Sequence, residues 1–200
     1  MAFNINEFVT GGLKFGGARP TLFNVVITFP SNIAGVSVEA IERIQFLCRA
    51  SSVPASSIAS VPVPYFGRQV KVAGDRTFSD WSVTIMNDED YVVRNAFEAW
   101  HNSINSIISN RRADNTSGES AVDGSGYKGT AYVQQYSKNG DIIKQYRFDN
   151  IFPVNVDEMG LDWDATNTIQ TFGVTFAYDW WIPITEANQL VNNPTIPVEL

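Results

Sequence analysis

Two stretches, WSVTIM (81–86) and TFGVTFAY (171–178), alternate apolar residues with small or polar ones at a period of two. Successive side chains of a β-strand point to opposite faces, so each stretch demands one buried face and one that meets something else. Trp81, Val83 and Ile85 share a face opposite Ser82, Thr84 and Met86; Phe172, Val174, Phe176 and Tyr178 share one opposite Thr171, Gly173, Thr175 and Ala177. A half-buried antiparallel sheet is required, which restricts the chain to mainly β architectures. YFGRQVKVA (65–73) has the same period and is expected to turn Phe66, Val70 and Val72, beside Arg68, toward the core, leaving Gly67, Gln69 and Lys71 opposite.

The remaining elements are arranged around these strands. LFNVVITF (22–29) is a strand stopped by Pro30, and QFLCRA (45–50) a short one, while SNIAGVSVEAIER (31–43) between them has no clear period and reads as an insertion. The serine- and proline-rich 51–64 reads as a long loop. AYVQQYS (131–137) and IIKQYRFDN (142–150) flank Asn139-Gly140, the preferred type I′ pair, and so form a hairpin. Pro153 puts 151–156 at an edge or bend. One helix is expected, capped by Asn87 or Asp88, with Glu89 and Asp90 in its first turn and an apolar stripe of Val93, Phe97, Trp100 and Ile104 running to about Ile108. Residues 109–129 form a polar, glycine-rich loop, and 1–18 and 183–200 read as arms. With no internal repeat, the chain is expected to be a single domain over 1–200, with six or seven strands and one flanking helix.

The acidic stretch 72–90 is the strongest candidate for chemistry, since a metal site or an acid/base pair in an enzymatic β-domain requires grouped carboxylates. Gly74, Asp75, Arg76 and Asp80 instead read as a tight corner between strands, closed by side-chain hydrogen bonds and an Asp–Arg ion pair, with Trp81 entering the core and Asp88 capping the helix. The single histidine, His101, lacks sequence-local partners for a triad or a zinc site, and Cys48, the single cysteine, reads as a buried thiol. LDWDATN (161–167) lacks the glycine of a calcium loop and reads as a capped turn; DGSGYKG (123–129) lacks the ending of a phosphate loop. No catalytic, cofactor-binding or metal-binding residue is expected.

A net charge of -7 and a pI near 4.6 oppose a grip on nucleic acid, which depends on clustered Lys and Arg. No cationic start leads into an apolar run, and no run approaches the roughly 18 apolar residues of a membrane span, so neither a signal peptide nor a membrane anchor is expected. The aromatic fraction of 12% exceeds the evident needs of a core this size, which points to subunit contacts.

ARPTLFNV (18–25), FLCRASSVP (46–54), RQVKVAGDRTFSDWSVTIMNDE (68–89), AYVQQY (131–136) and LDWDATNTIQTFGVTFAYDWW (161–181), in that order, closely resemble the major tail tube proteins of contractile-tailed bacteriophages. The resemblance implies a β-sandwich or barrel-like subunit with a flanking helix, similar to the type VI secretion tube protein. It implies hexameric rings stacked inside a tail sheath, between baseplate and terminator proteins, assembled in the host cytoplasm as part of the virion. DNA would pass through the lumen without specific binding. On that reading Gln69, Lys71, Ser82, Thr84, Thr171, Gly173 and Thr175 are candidates for the lumen wall, being small and mostly uncharged. A tube subunit of a related secretion or tailocin-type machine is the alternative, differing in cargo rather than fold.

Overall fold

The computed structural model describes residues 5, 8–13, 16–31, 33, 35–112 and 126–184. The strands are β1 (Phe23–Thr28), β2 (Cys48–Ser51), β3 (Ser56–Tyr65), β4 (Arg68–Phe78), β5 (Trp81–Met86), β6 (Gly129–Tyr136), β7 (Ile142–Val156), β8 (Thr171–Ala177) and β9 (Trp180–Ile184). The helices are α1 (Val38–Leu47) and α2 (Val92–Ile104), with a short π-helical turn at Phe8–Gly12. The fold is mainly β, as the alternation requires, and sandwich-like; its sheets do not close into a barrel.

β7 organises the sandwich. Its first part pairs with β6 and β9, its last part with β8, and Asn150 takes a positive φ of 60° near the changeover. One layer therefore runs β1-β6-β7-β9 and the other β7-β8-β5-β2. β8 and β9 lie end to end along β7, from Val156↔Val174 to Gln145↔Ile184. Pro153 sits where β7 has only β8 as a partner, beside the register shift between Pro153 and Asn155, and the edge reading of 151–156 holds.

Between the layers lie Val25, Ile27, Trp81, Val83, Ile85, Phe148, Val174 and Phe176, all buried. Trp81 stacks on Phe148 with ring centroids 4.6 Å apart and meets Phe176 at 5.2 Å, and its indole N–H donates to the Ser51 hydroxyl at 3.2 Å. α2 adds Val93, Ala96, Phe97 and Trp100. Trp100 approaches so closely that a Cβ at Gly129 would stand 2.4 Å from the Thr28 carbonyl oxygen and 3.0 Å from the indole.

Several expectations need correction. Residues 38–47 form α1, capped by the Ser37 hydroxyl, which accepts from the Ala40 N–H at 3.1 Å. Only Ala40 and Ile44 of this helix are buried, while Val38 and Phe46 face outward, so no apolar stripe marked it, and only Cys48–Ser51 of the expected strand at 45–50 is extended. Among the described residues two α-helices therefore flank the sheets, where one was expected. α2 begins at Val92 rather than at an Asn87 or Asp88 cap, because residues 88–91 close a separate turn in which the Tyr91 N–H donates to the Asp88 carbonyl. It ends at Ile104, leaving Ile107 and Ile108 exposed. The 131–150 hairpin is present, but its turn is Ser137–Gly140 followed by Gly140 at φ 93°, with the Ser137 hydroxyl accepting from the Asn139 and Asp141 N–H groups. That is a type I turn with a left-handed glycine, not a type I′ Asn-Gly pair.

The largest correction concerns 51–78. Most of the expected loop is β3, which pairs with β4 from Ser56↔Phe78 to Tyr65↔Arg68 and with nothing else. Pro62 and Pro64 are tolerated because a two-stranded ribbon has free edges. Gly74, Asp75 and Arg76 lie within β4, not at a corner between strands. Gly74 falls at the register shift opposite Ala59, where its Cβ would stand 3.1 Å from Val61 and 3.3 Å from the Ala59 carbonyl. Arg76 donates to the Ser56 hydroxyl at 3.2 Å, and the expected Asp75–Arg76 bridge is not formed. Phe66, Val70 and Val72 are exposed rather than in the core.

Of the two expected arms, Pro183 and Ile184 belong to β9, and 185–200 lie outside the described residues, as do 1–4, 6, 7, 14 and 15 and most of the 109–129 loop.

Candidate functional site

The β5–β8 register sets Ser82 opposite Thr175, Thr84 opposite Gly173 and Met86 opposite Thr171. Trp81, Val83 and Ile85 meet Phe176, Val174 and Phe172 on the other side of the same ladder, and all six are buried. Five of the seven proposed wall residues, Ser82, Thr84, Thr171, Gly173 and Thr175, thereby share one outward face. Gln69 and Lys71 do not join them: they lie on the ribbon, opposite Pro64 and Pro62.

The alternation did not disclose the carboxylate on this face. Asp157 follows the end of β7, and its N–H donates to the Gly173 carbonyl at 2.9 Å, which anchors it across β8. A Cβ at Gly173 would stand 2.1 Å from Asp157 Oδ2, so glycine leaves the space that the carboxylate occupies. The Asn155 amide donates to Asp157 Oδ1 at 2.6 Å, and Arg94 of α2 holds the Asp157 carbonyl at 2.8 Å. Thr84, Asn155, Asp157, Glu158, Thr171 and Gly173 line an open polar depression there with no basic residue in its wall. The sequence signal was the Asp157-Glu158 pair directly after the strand, but a contact across β8 has no local signature.

The acidic stretch 72–90 is dispersed. Asp75 is on the ribbon, and Asp80 lies between β4 and β5. Asp88 and Asp90 converge with Glu39 on Arg43 of α1, and these bonds raise the Arg43 pKa further above its ordinary value. Asp88 is thus a tie between α1 and the entry to α2 rather than a cap. Among the described residues no three His, Cys, Asp or Glu side chains group closely enough to hold a metal ion. Burial pushes the Cys48 thiol up to about 12, against a smaller lowering by a backbone hydrogen bond from Ala50. The Asp162 carboxylate accepts from the Asp164 N–H at 3.0 Å, so LDWDATN is a side-chain-closed turn, as read.

Two surfaces have no partner among the described residues. The ribbon carries Val61, Val63, Tyr65, Val70 and Val72 on one exposed face, with Phe66 at its tip. β2, four residues long, is the last strand of its sheet and has β5 as its one strand partner.

A family model described as phage tail tube protein matches residues 18–183. Tail tube protein gp19 of Enterobacteria phage T4 is 38% identical over 165 residues, which cover 82% of this chain and 90% of that protein. Among solved structures, a chain from the cryo-EM structure of the anti-feeding prophage cap superposes with a TM-score of 0.58 at 15% identity, covering 84% of this chain and 91% of that one. A chain of the sheath-tube complex of an extracellular contractile injection system, in its extended state, gives 0.56 at 13% identity, covering 95% and 100%.

Proposed function

The chain belongs to the phage tail tube protein family, and from that premise we propose that six copies close into a ring and that rings stack as the inner tube of a contractile tail. It is a structural virion protein and not an enzyme. The observation that carries the reading is the outward face of β5 and β8. Ser82, Thr84, Thr171, Gly173 and Thr175 form a surface without cations or large apolar anchors, with the Asp157 carboxylate laid across it. Facing inward in a ring, such a wall lets DNA slide: it offers no phosphate contact and repels the backbone. Six copies bring six Asp157 carboxylates to the wall.

Ring closure follows from the free edges. Cyclic, head-to-tail association covers an open strand edge on each subunit with the next copy, removing the hazard of an unpaired edge. The ribbon then serves contacts between subunits, since none of the described residues covers its apolar face. The sheath, baseplate and terminator are the partners of the tube, and assembly takes place in the host cytoplasm. A tube in a related injection machine would share this fold. The 38% identity to a phage tail tube protein favours the phage reading, because the injection-system likenesses are likenesses of fold.

Electron microscopy of the purified protein tests the proposal. Six-fold rings and stacked tubes are expected. Monomers alone across concentration and salt, persisting when baseplate components are added as a seed, would refute it.

A further inference from the structure

Trp163 is the most exposed large apolar residue in the structure, at 102% of its reference area, and Leu161 beside it is 84% exposed. It stands at the corner of the β7–β8 loop, which is braced by the Asp162 side-chain bond to the Asp164 N–H and by the Ala165 N–H donating to the Asp162 carbonyl at 3.3 Å. A braced turn has less backbone freedom to lose on docking, and buried Trp is among the strongest interface anchors. Between Asp157 and Gln170 the chain carries Asp157, Glu158, Asp162 and Asp164 and no Lys or Arg.

A recess of about 180 Å³ is lined by Pro20, Phe23, Val53, Val133 and Tyr146, with the polar side chains of Ser51, Ser52, Gln134 and Gln135 completing its wall. That volume admits one indole ring. Lys144 Nζ lies 5.5 Å from the centroid of the Tyr146 ring in its wall, and a second cleft, reached through Arg19 next to Pro20, carries Arg19 and Lys138 against one carboxylate, Asp141.

The two features occupy opposite ends of β5. The loop leaves the sheet beside the Met86↔Thr171 pair, whereas Ser51 pairs with Val83, about 10 Å along the strand at about 3.4 Å per residue, and residues 52 and 53 run on from there toward the Trp81 end. A projection at one end and a matching recess at the other cannot pair isologously. They join identical copies head to tail and without limit, as an open-ended stack requires.

We propose that Trp163 of one copy inserts into the Val53–Tyr146 recess of a copy in the adjacent ring, with Glu158, Asp162 and Asp164 facing Arg19, Lys138 and Lys144 around it. This rests on the tube reading and names the contact by which rings stack.

The test compares wild type with Trp163→Ala by sedimentation and negative-stain microscopy, with baseplate components added as a seed where wild-type rings do not stack unaided. Trp163→Ala is expected to keep its melting temperature and its single rings and to need at least tenfold more protein to form multi-ring stacks. Added salt should weaken wild-type stacking more than ring closure, as screened charges require. Trp163→Cys combined with Val53→Cys in a Cys48→Ser background is expected to give a ladder of disulfide-linked chains on oxidation of assembled tubes, absent from either single-cysteine variant. Trp163→Ala rings that stack like wild type, loss of the rings themselves, or no ladder overturns this contact while leaving the tube reading intact. A wild type that forms no rings, or rings that never stack even when seeded, sinks the tube reading and this contact with it.

Discussion

Replacing Trp81 with alanine is the sharpest test of how the two layers are held together. The indole is fully buried, stacked on Phe148 of β7 at 4.6 Å and set against Phe176 of β8 at 5.2 Å, with its N–H on Ser51 of β2. Truncation removes the apolar burial, two ring contacts of about 0.5–1.5 kcal/mol each and one hydrogen bond of similar size, and leaves a cavity that the flanking strands cannot close. The expected loss is about 3–5 kcal/mol, a large part of the roughly 5–15 kcal/mol typical of a domain. Urea unfolding of dissociated subunits at several protein concentrations measures it, because ring formation raises apparent stability by mass action. Trp81→Phe keeps a ring in the stack and should cost less than half as much. A loss under about 1 kcal/mol for Trp81→Ala, with unchanged m-value, would show that Trp81 does not carry the core as described.

Gly129→Ala should destabilise by about 1–3 kcal/mol, since its methyl group would press on the Thr28 carbonyl and the Trp100 ring; unfolding at wild-type denaturant would contradict that packing. Cys48 should resist alkylation at pH 8 in the folded protein and react readily in urea, and equal rates would place the thiol in solvent. With its folded pKa raised from about 9 to about 12, stability is unaffected by this group below pH 9 and falls as the pH rises through that window, a decline that Cys48→Ala should reduce. Val72→Asp on the ribbon should change subunit stability by no more than about 0.5 kcal/mol yet sharply reduce ring or tube yield, and unimpaired assembly would free the ribbon from a contact role.

Where a periodic face packs on the subunit's own core, the sequence reading and the structure agree residue by residue. Every apolar position assigned to the inner face of WSVTIM is buried, as are Phe172, Val174 and Phe176 of β8, and the stripe of Val93, Phe97 and Trp100 does face the core. The errors over Asp88 and Asp157 share a cause: they depend on partners distant in sequence. Asp88 reads as a cap until Arg43, 45 residues earlier, is seen to hold it. Asp157 reads as the residue after a strand until Gly173 is seen to make room for its carboxylate. α1 was missed because two buried residues do not make a period.

The ribbon failed differently, and the failure is informative. Val61, Val63, Val70 and Val72 alternate as cleanly as the residues of β5, yet the first set is exposed in the subunit and the second buried. Alternation records that a strand face is meant to meet an apolar surface; it carries no information about which chain supplies that surface. In a monomer the two readings coincide, because the chain must supply its own core. In a chain that assembles they separate, and an apolar face with nothing above it marks a partner still to come. The aromatic fraction of 12% divides in the same way: Trp81, Trp100, Phe97 and Phe148 fill the core, while Tyr65, Phe66 and Trp163 stand outside it. Phe8, Phe46, Tyr91 and Trp180 are exposed as well, and on the ring reading proposed above these aromatics are the ones available for contacts between copies.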